Sequence, residues 1–183
     1  MEQTKEYTKS NLCQLPELGL SCIGCCGGRL KNKNQVFEDI KKNTLELGEY
    51  SEVSDFINRA KPNELRESGI CKNMTFIGFD KRTGNVLVGC PAHPEFSDAT
   101  DDRENHCDIA HLCKITQEFE QWDDKKRAVF LKFLKQKSDQ DMDWFEYSIK
   151  MDNDELLQDF QKYYEKLDKK RIRSILNKLV IRK

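Results

Sequence analysis

Eight cysteines carry most of the chemical potential of this chain: Cys13, Cys22, Cys25, Cys26, Cys71, Cys90, Cys107 and Cys113. All fall in the first 113 residues, and the remaining 70 contain none. The densest run is Cys22-Ile-Gly-Cys25-Cys26-Gly-Gly. A C-x2-C turn brings two thiolates to one metal, because the two intervening residues close a tight loop. Thiolate is the soft ligand preferred by zinc and by iron–sulfur clusters. Cys26 follows Cys25 directly, and neighbouring side chains diverge. The pair therefore serves one site only with local distortion, or else bridges two sites or reaches a polynuclear cluster.

Further donors lie downstream. Cys71 and Cys90 flank an apparent hairpin. His93 stands three positions after Cys90, a spacing that suits a shared metal. His106-Cys107 and His111-x-Cys113 follow. Eight thiols exceed the four that one tetrahedral zinc takes. The arithmetic allows two sites, a cluster plus a zinc, or one site with spare cysteines. The expected metal ligands are Cys22, Cys25, Cys26, Cys71, Cys90, His93, Cys107 and Cys113. Cys13, nine residues before Cys22, reads equally well as a small buried hydrophobe. His106 and His111 read as solvated or as supporting residues.

Other chemistries fit less well. A nucleophilic cysteine needs a base and an orienting group, and the adjacency of Cys90 to His93 or Cys107 to His106 does not supply that geometry. No P-loop or Rossmann glycine pattern and no H-E-x-x-H pair occurs. A thiol–disulfide oxidoreductase would open a helix with its C-x2-C, whereas here another cysteine and two glycines follow.

The elements that must hold these residues are partly readable. Residues 1–31 read as loop and turn. A helix is expected from a cap at Asn34 to Gly48, with Val36, Phe37, Ile40 and Thr44 or Leu45 on one face. A short helix should span 51–60, ended by Pro62. Met74, Phe76 and Ile77, the turn DKRTGN, then VLVG predict a hairpin over 74–79 and 85–89. Its geometry should make Cys71 and Cys90 neighbours. Residues 91–113 read as an irregular loop, and a loop that long needs something to tie it down. Beyond Ile115 the pattern is helical: about 117–137, a shorter apolar segment over 142–151, and a long helix capped by Asp152 or Asn153. The expected fold is α+β and mostly helical. A cysteine-rich, metal-stapled part with a small β-hairpin (1–115) precedes a helical extension packing on it (116–183).

Composition sets outer bounds. Only 37% of residues are apolar and 34% are charged, so a core of this size benefits from a staple. With 31 basic and 32 acidic residues the net charge is −1, which argues against a nucleic-acid binder. No apolar run reaches the ~18 residues of a membrane span. The first ten residues lack the apolar stretch of a secretory signal, which points to the cytoplasm. Lys169–Lys183 carries seven basic residues and no acid. That tail complements a helix C-terminus or touches a protein or RNA partner.

The trio Cys22-x2-Cys25-Cys26, a following helix, Cys71 and then VGCPAHP around Cys90 resemble the family of zinc- or iron-chelating domains named for their CxxCxxCC motif. The resemblance covers residues 13–113. It implies binding of zinc or an iron–sulfur centre through Cys22, Cys25 and Cys26, completed by Cys71 and Cys90. The motif's first cysteine would fall at position 19, which is Gly19 here. Three functions follow as expectations. One is a metal-binding protein holding zinc or an iron–sulfur cluster. Another is an iron–sulfur-dependent redox or protein-modifying enzyme. The third is a zinc-stapled module whose helical tail binds protein or RNA.

Overall fold

The structure, a computed structural model, describes residues 12–26, 29–93, 103, 106–108 and 111–180, the side chains of Cys25 and 168–180 excepted. Most of the loop expected over 91–113 thus lies outside the described residues.

The chain opens with a miniature hairpin, β1 (Gln14–Leu15) and β2 (Leu20–Ser21), in a segment whose sequence reads as loop. The pairing is antiparallel, Gln14 opposite Ser21 and Leu15 opposite Leu20. A 3-10 turn, Pro16–Leu18, joins the strands and closes at Gly19 with φ +66°. A Cβ there would crowd the Asp80 carboxylate and the Thr83 hydroxyl, and the left-handed backbone favours glycine. Two-residue strands have no periodicity to read. This pair is held from outside, by Ser21 Oγ accepting from Val88 N at 2.9 Å and Gln14 Nε2 donating to Val88 O at 3.2 Å.

Helix α1 (Lys33–Leu47) starts one residue before Asn34. Its cap is Asn32, whose side chain accepts from Gln35 N at 3.1 Å. Val36 and Ile40 are buried as expected, whereas Leu45 is exposed, and the polar Asp39 and Asn43 take buried positions on the helix instead. Helix α2 (Val53–Asn58) buries Phe56 and Ile57 and leaves Val53 exposed. Strands β3 (Thr75–Phe79) and β4 (Val86–Gly89) form the expected hairpin, with a register shift between Phe76 and Gly78.

The single helix expected over about 117–137 is two: α3 (Lys114–Gln121) and α4 (Asp124–Ser138). Trp122 leaves the helical region at ψ 149°, and Asp123 caps the next helix by accepting from Lys126 N at 2.7 Å. The break brings Phe119, Trp122 and Phe130 into one aromatic group, Trp122 edge-on to both phenylalanines and those two tilted to each other. Helix α5 (Trp144–Asp152) is capped by Asp143. Helix α6 (Glu155–Val180) follows, with Asn153 Oδ1 accepting from Glu155 N at 3.0 Å, one of the two caps the sequence suggests.

Two main apolar clusters result. Leu12, Leu15, Leu18, Leu20 and Cys22 pack directly among Phe119, Trp122, Phe130, Phe133, Tyr147 and Phe160. Ile23, Val36, Ile40, Ile70, Met74 and Val88 pack around Trp144. The division expected near residue 115 is therefore crossed twice, by the first hairpin entering the helical core and by α5 entering the cysteine-rich part.

Candidate metal centre

The described cysteines fall into two groups, and the short turn Gly24–Cys26 separates Cys22 of the first from Cys26 of the second along the chain. Among the described residues no disulfide joins two cysteines.

The first group comprises Cys13, Cys22 and Cys113. Cys22 N donates to Cys13 O at 2.7 Å, which extends the β1–β2 pairing by one position. Directly opposed residues of an antiparallel pair carry their side chains on one face, with Cβ atoms about 4.5–5.5 Å apart. The hairpin thus sets Cys13 beside Cys22 although nine positions separate them. Cys113 arrives as the N-cap residue of α3, its Sγ 3.1 Å from Thr116 Oγ1. All three line a cavity of about 20 Å³, with His111 and Asp152 also on its wall. That is room for one water-sized occupant.

Helix α5 fixes this group. Tyr147, fully buried, donates its hydroxyl to Leu12 O at 2.7 Å, just before Cys13. Burial holds its phenol well above the usual range, and the charges of Cys22, Cys13 and Cys113 push it further the same way. Ser148 Oγ accepts from Ile23 N at 2.9 Å and donates to Trp144 O at 2.6 Å. Gly24 is needed for close approach: a Cβ there would stand 3.0 Å from Ser148 O and 3.1 Å from Asp152 Cβ. The sequence marks Gly24 as a flexible turn residue; its structural reason is contact with a helix 124 residues away.

The second group comprises Cys26, Cys71, Cys90 and Cys107. Cys71 N donates to Cys26 O at 3.1 Å, tying the N-terminal turn to the segment before β3. Cys71 and Cys90 sit at the two open ends of the β3–β4 hairpin in matching turns. Asn73 N donates to Cys71 Sγ at 3.4 Å and Met74 N to Cys71 O at 3.1 Å. Ala92 N donates to the Cys90 sulfur and His93 N to Cys90 O at 2.9 Å. Cys22 in the first group has the same device, with Gly24 N donating to its Sγ at 3.4 Å. Backbone N–H groups aimed at sulfur favour the thiolate, and hydrogen bonds to the sulfurs tune iron–sulfur centres. Cys107 is exposed on a turn whose His106 carbonyl accepts from Asn63 N at 3.0 Å and whose His106 Nε2 lies 3.2 Å from Asn58 Oδ1.

Burial dominates the protonation of this group. It pushes the Cys90 thiol up to about 12; the Ala92 N–H opposes it, nearby Cys71 and Cys107 reinforce it, and Arg103 opposes it. Burial also raises Cys71, against the Asn73 N–H and the charge of Arg59. At neutral pH both thiols keep their protons unless a cation replaces them.

A polar network holds the Cys71 turn. Buried Asn43 donates to Cys71 O at 3.1 Å and to Met74 O at 2.8 Å, and accepts from Arg66 Nε at 2.8 Å. Arg59, stacked over Phe56 at 3.7 Å, donates to Asn73 Oδ1, Lys72 O and Glu46. Burial would raise the Glu46 carboxyl, but hydrogen bonds from Arg66 and Arg59 hold it below the usual range. Nothing in the sequence singles out Asn43, Glu46, Arg59 or Arg66, which lie 13 to 31 positions from the atoms they bond. Asn43→Ala removes the side-chain donor to the Met74 carbonyl and the acceptor of Arg66 Nε, and leaves Cys71 O with Met74 N alone. It should cost about 2–4 kcal/mol, read as a lower urea midpoint with an unchanged slope.

Of the expected ligands, Cys22 and Cys113 belong to the first group, and Cys26, Cys71, Cys90 and Cys107 to the second. The side chain of Cys25 lies outside the described residues. His93 is buried in the turn after Cys90. Cys13, left open by the sequence, lines the cavity of the first group; the signal that could have placed it is the glycine-closed turn at Gly19, which brings positions 13 and 22 opposite one another. His111 lines the same cavity, while His106 bonds to Asn58 instead. Among the described residues no three His, Cys, Asp or Glu side chains stand close enough to hold a metal ion.

The other expectations concern the tail and membranes. Leu156, Leu157 and Phe160 of α6 are buried, Leu167 is exposed, and side chains beyond 167 are not described. No helix among the described residues is long and apolar enough to cross a membrane. No family model, no curated protein and no solved structure matches the chain.

Proposed function

We propose that this is a metal-binding protein whose cysteine thiolates hold zinc or an iron–sulfur centre that the cysteine-rich part needs in order to fold. The observation that carries the reading is the pair of matching turns at Cys71 and Cys90. Each presents a sulfur that receives a backbone N–H, at the adjoining ends of one hairpin, beside Cys26 and Cys107. Such donors would favour the thiolate that a bound cation requires. The resemblance to CxxCxxCC-motif domains, carried by Cys22, Cys25, Cys26, Cys71 and Cys90, points the same way. Coordination requires side-chain rotation to draw the sulfurs of a group together. His93 and Cys107 are candidate completing ligands, Cys107 by virtue of its exposure to incoming metal. The reading implies a reducing compartment, the cytoplasm, where thiols stay reduced.

The test follows from the protonation of Cys71 and Cys90. A metal that binds both must displace both protons. Zinc added to the apo protein at pH 7 in weak buffer should release at least two protons per ion bound at this group, and the apparent affinity should fall as pH is lowered. Zinc uptake without proton release, or no uptake, contradicts the proposal.

A further inference from the structure

We propose that the groove between α4 and α6 receives the α1–α2 corner of a second copy of this chain. The proposal is independent of the metal-binding reading.

The groove is open to solvent and holds about 350 Å³. Its floor is aromatic, with the rings of Phe133 and Tyr163 5.2 Å apart. Leu167, exposed and one helical turn beyond Tyr163, extends this apolar strip along α6. Three lysines, Lys137, Lys162 and Lys166, line the walls. Among the described residues no ion pair engages any of them. The wall carries one acid, Asp159, and it stands 3.7 Å from Lys150 instead. A groove of this kind suits a partner that brings carboxylates together with an apolar or aromatic anchor.

The chain itself carries such a surface. Residues 45–55, LELGEYSEVSD, hold four acids and no base. Glu46 is engaged by Arg59 and Arg66. Glu49, Glu52 and Asp55 are exposed, and among the described residues no ion pair engages them. Exposed apolar side chains stand between these acids, Leu45 at 67% and Tyr50 and Val53 at 38% each. Tyr50 is braced edge-on by Phe56 at 5.9 Å, so its ring is held ready as the anchor.

The two surfaces belong to different parts of the molecule. Phe56 and Ile57 of α2 pack with Ala92, whereas Phe133 packs with Phe160. Within one copy both surfaces stand open, and each has what the other lacks. Three carboxylates of one copy face three ammonium groups of the next, with Tyr50 over the aromatic floor. The contact joins two unlike surfaces, so it closes as a two-fold pair if both copies engage each other and otherwise grows head to tail.

The test is sedimentation velocity of the full-length protein over a concentration series. Wild type should associate. Its dissociation constant should rise about tenfold or more between about 0.1 M and about 1 M salt, as the Debye length falls from about 10 to about 3 Å. Lys162→Glu with Lys166→Glu, and separately Glu49→Lys with Glu52→Lys, should each sediment as a monomer. An equimolar mixture of the two double variants pairs opposite charges again and should associate as wild type does. Tyr50→Ala leaves every charge in place and should weaken association about tenfold or more; it serves if either pair of reversals disturbs the fold. A wild type that stays monomeric overturns the proposal. So does association that survives both reversals, or a mixture of folded variants that stays monomeric. None of these outcomes bears on metal binding.

Discussion

If the cysteines hold a metal as proposed, stripping it should lower the melting temperature of this protein by about 10 °C or more. A ligand present at a thousand times its dissociation constant stabilises the folded state by about 4 kcal/mol. For a chain of this size each kcal/mol shifts the midpoint by about 2–4 °C. The loss should be uneven. Hairpins β1–β2 and β3–β4 and the Cys107 turn meet near the thiol groups, so their amides should gain hydrogen exchange first. The aromatic cluster around Phe160, with Phe130 at 4.9 Å and Trp122 at 5.0 Å, should hold longer. The two forms should also differ in pH response. In the apo protein burial pushes the Cys90 thiol up to about 12 and raises Cys71 as well, so the unfolded chain ionises first. Apo stability is then full below about 9 and falls as pH rises toward 12. The loaded protein should lose stability in the other direction, as protons compete for sulfur at low pH. A melting temperature indifferent to chelation would count against the staple.

Trp144→Ala should cost about 3–5 kcal/mol, the range for deleting a large buried aromatic side chain. Trp144 belongs to α5, yet it packs with Ile23, Val36, Ile70, Met74 and Val88 of the cysteine-rich part. Its backbone carbonyl also accepts from Ser148 Oγ, which in turn holds Ile23 N beside the Cys22 turn. A cavity at Trp144 therefore loosens the supports of both thiol groups, and metal affinity should fall with stability. Thermal unfolding and zinc competition by a chromophoric chelator read the two effects. Unfolding of the helical half alone, with zinc affinity unchanged, would mean that the two parts are independent.

The same residues explain what the sequence reveals and what it hides. The β3–β4 hairpin is legible because a polar turn, DKRTGN, separates two apolar runs, and α1 because Val36 and Ile40 keep helical spacing. The break between α3 and α4 is hidden: apolar periodicity runs through Trp122, and only the cap at Asp123 marks it. The β1–β2 hairpin is hidden because its strands are two residues long and are stabilised by Val88, 67 positions beyond Ser21. The type and spacing of the cysteines suggest thiolate ligation, but their partition does not follow from spacing. It is set by tertiary bonds, Cys22 N to Cys13 O on one side and Cys71 N to Cys26 O on the other. The resemblance treats Cys22, Cys25 and Cys26 as one cluster; in the structure Cys22 packs in one apolar cluster and Cys26 against the other. The supports supplied by Asn43, Arg59, Tyr147 and Ser148 are ordinary polar residues whose meaning appears only once their distant partners are in place.

The claim that sulfur holds a metal here is tested most directly by X-ray absorption at the metal edge, on protein purified without oxygen and without added metal. The account predicts stoichiometric zinc or iron with a first shell dominated by sulfur at about 2.3 Å. A sample with no stoichiometric metal, or a shell of oxygen and nitrogen only, would contradict it.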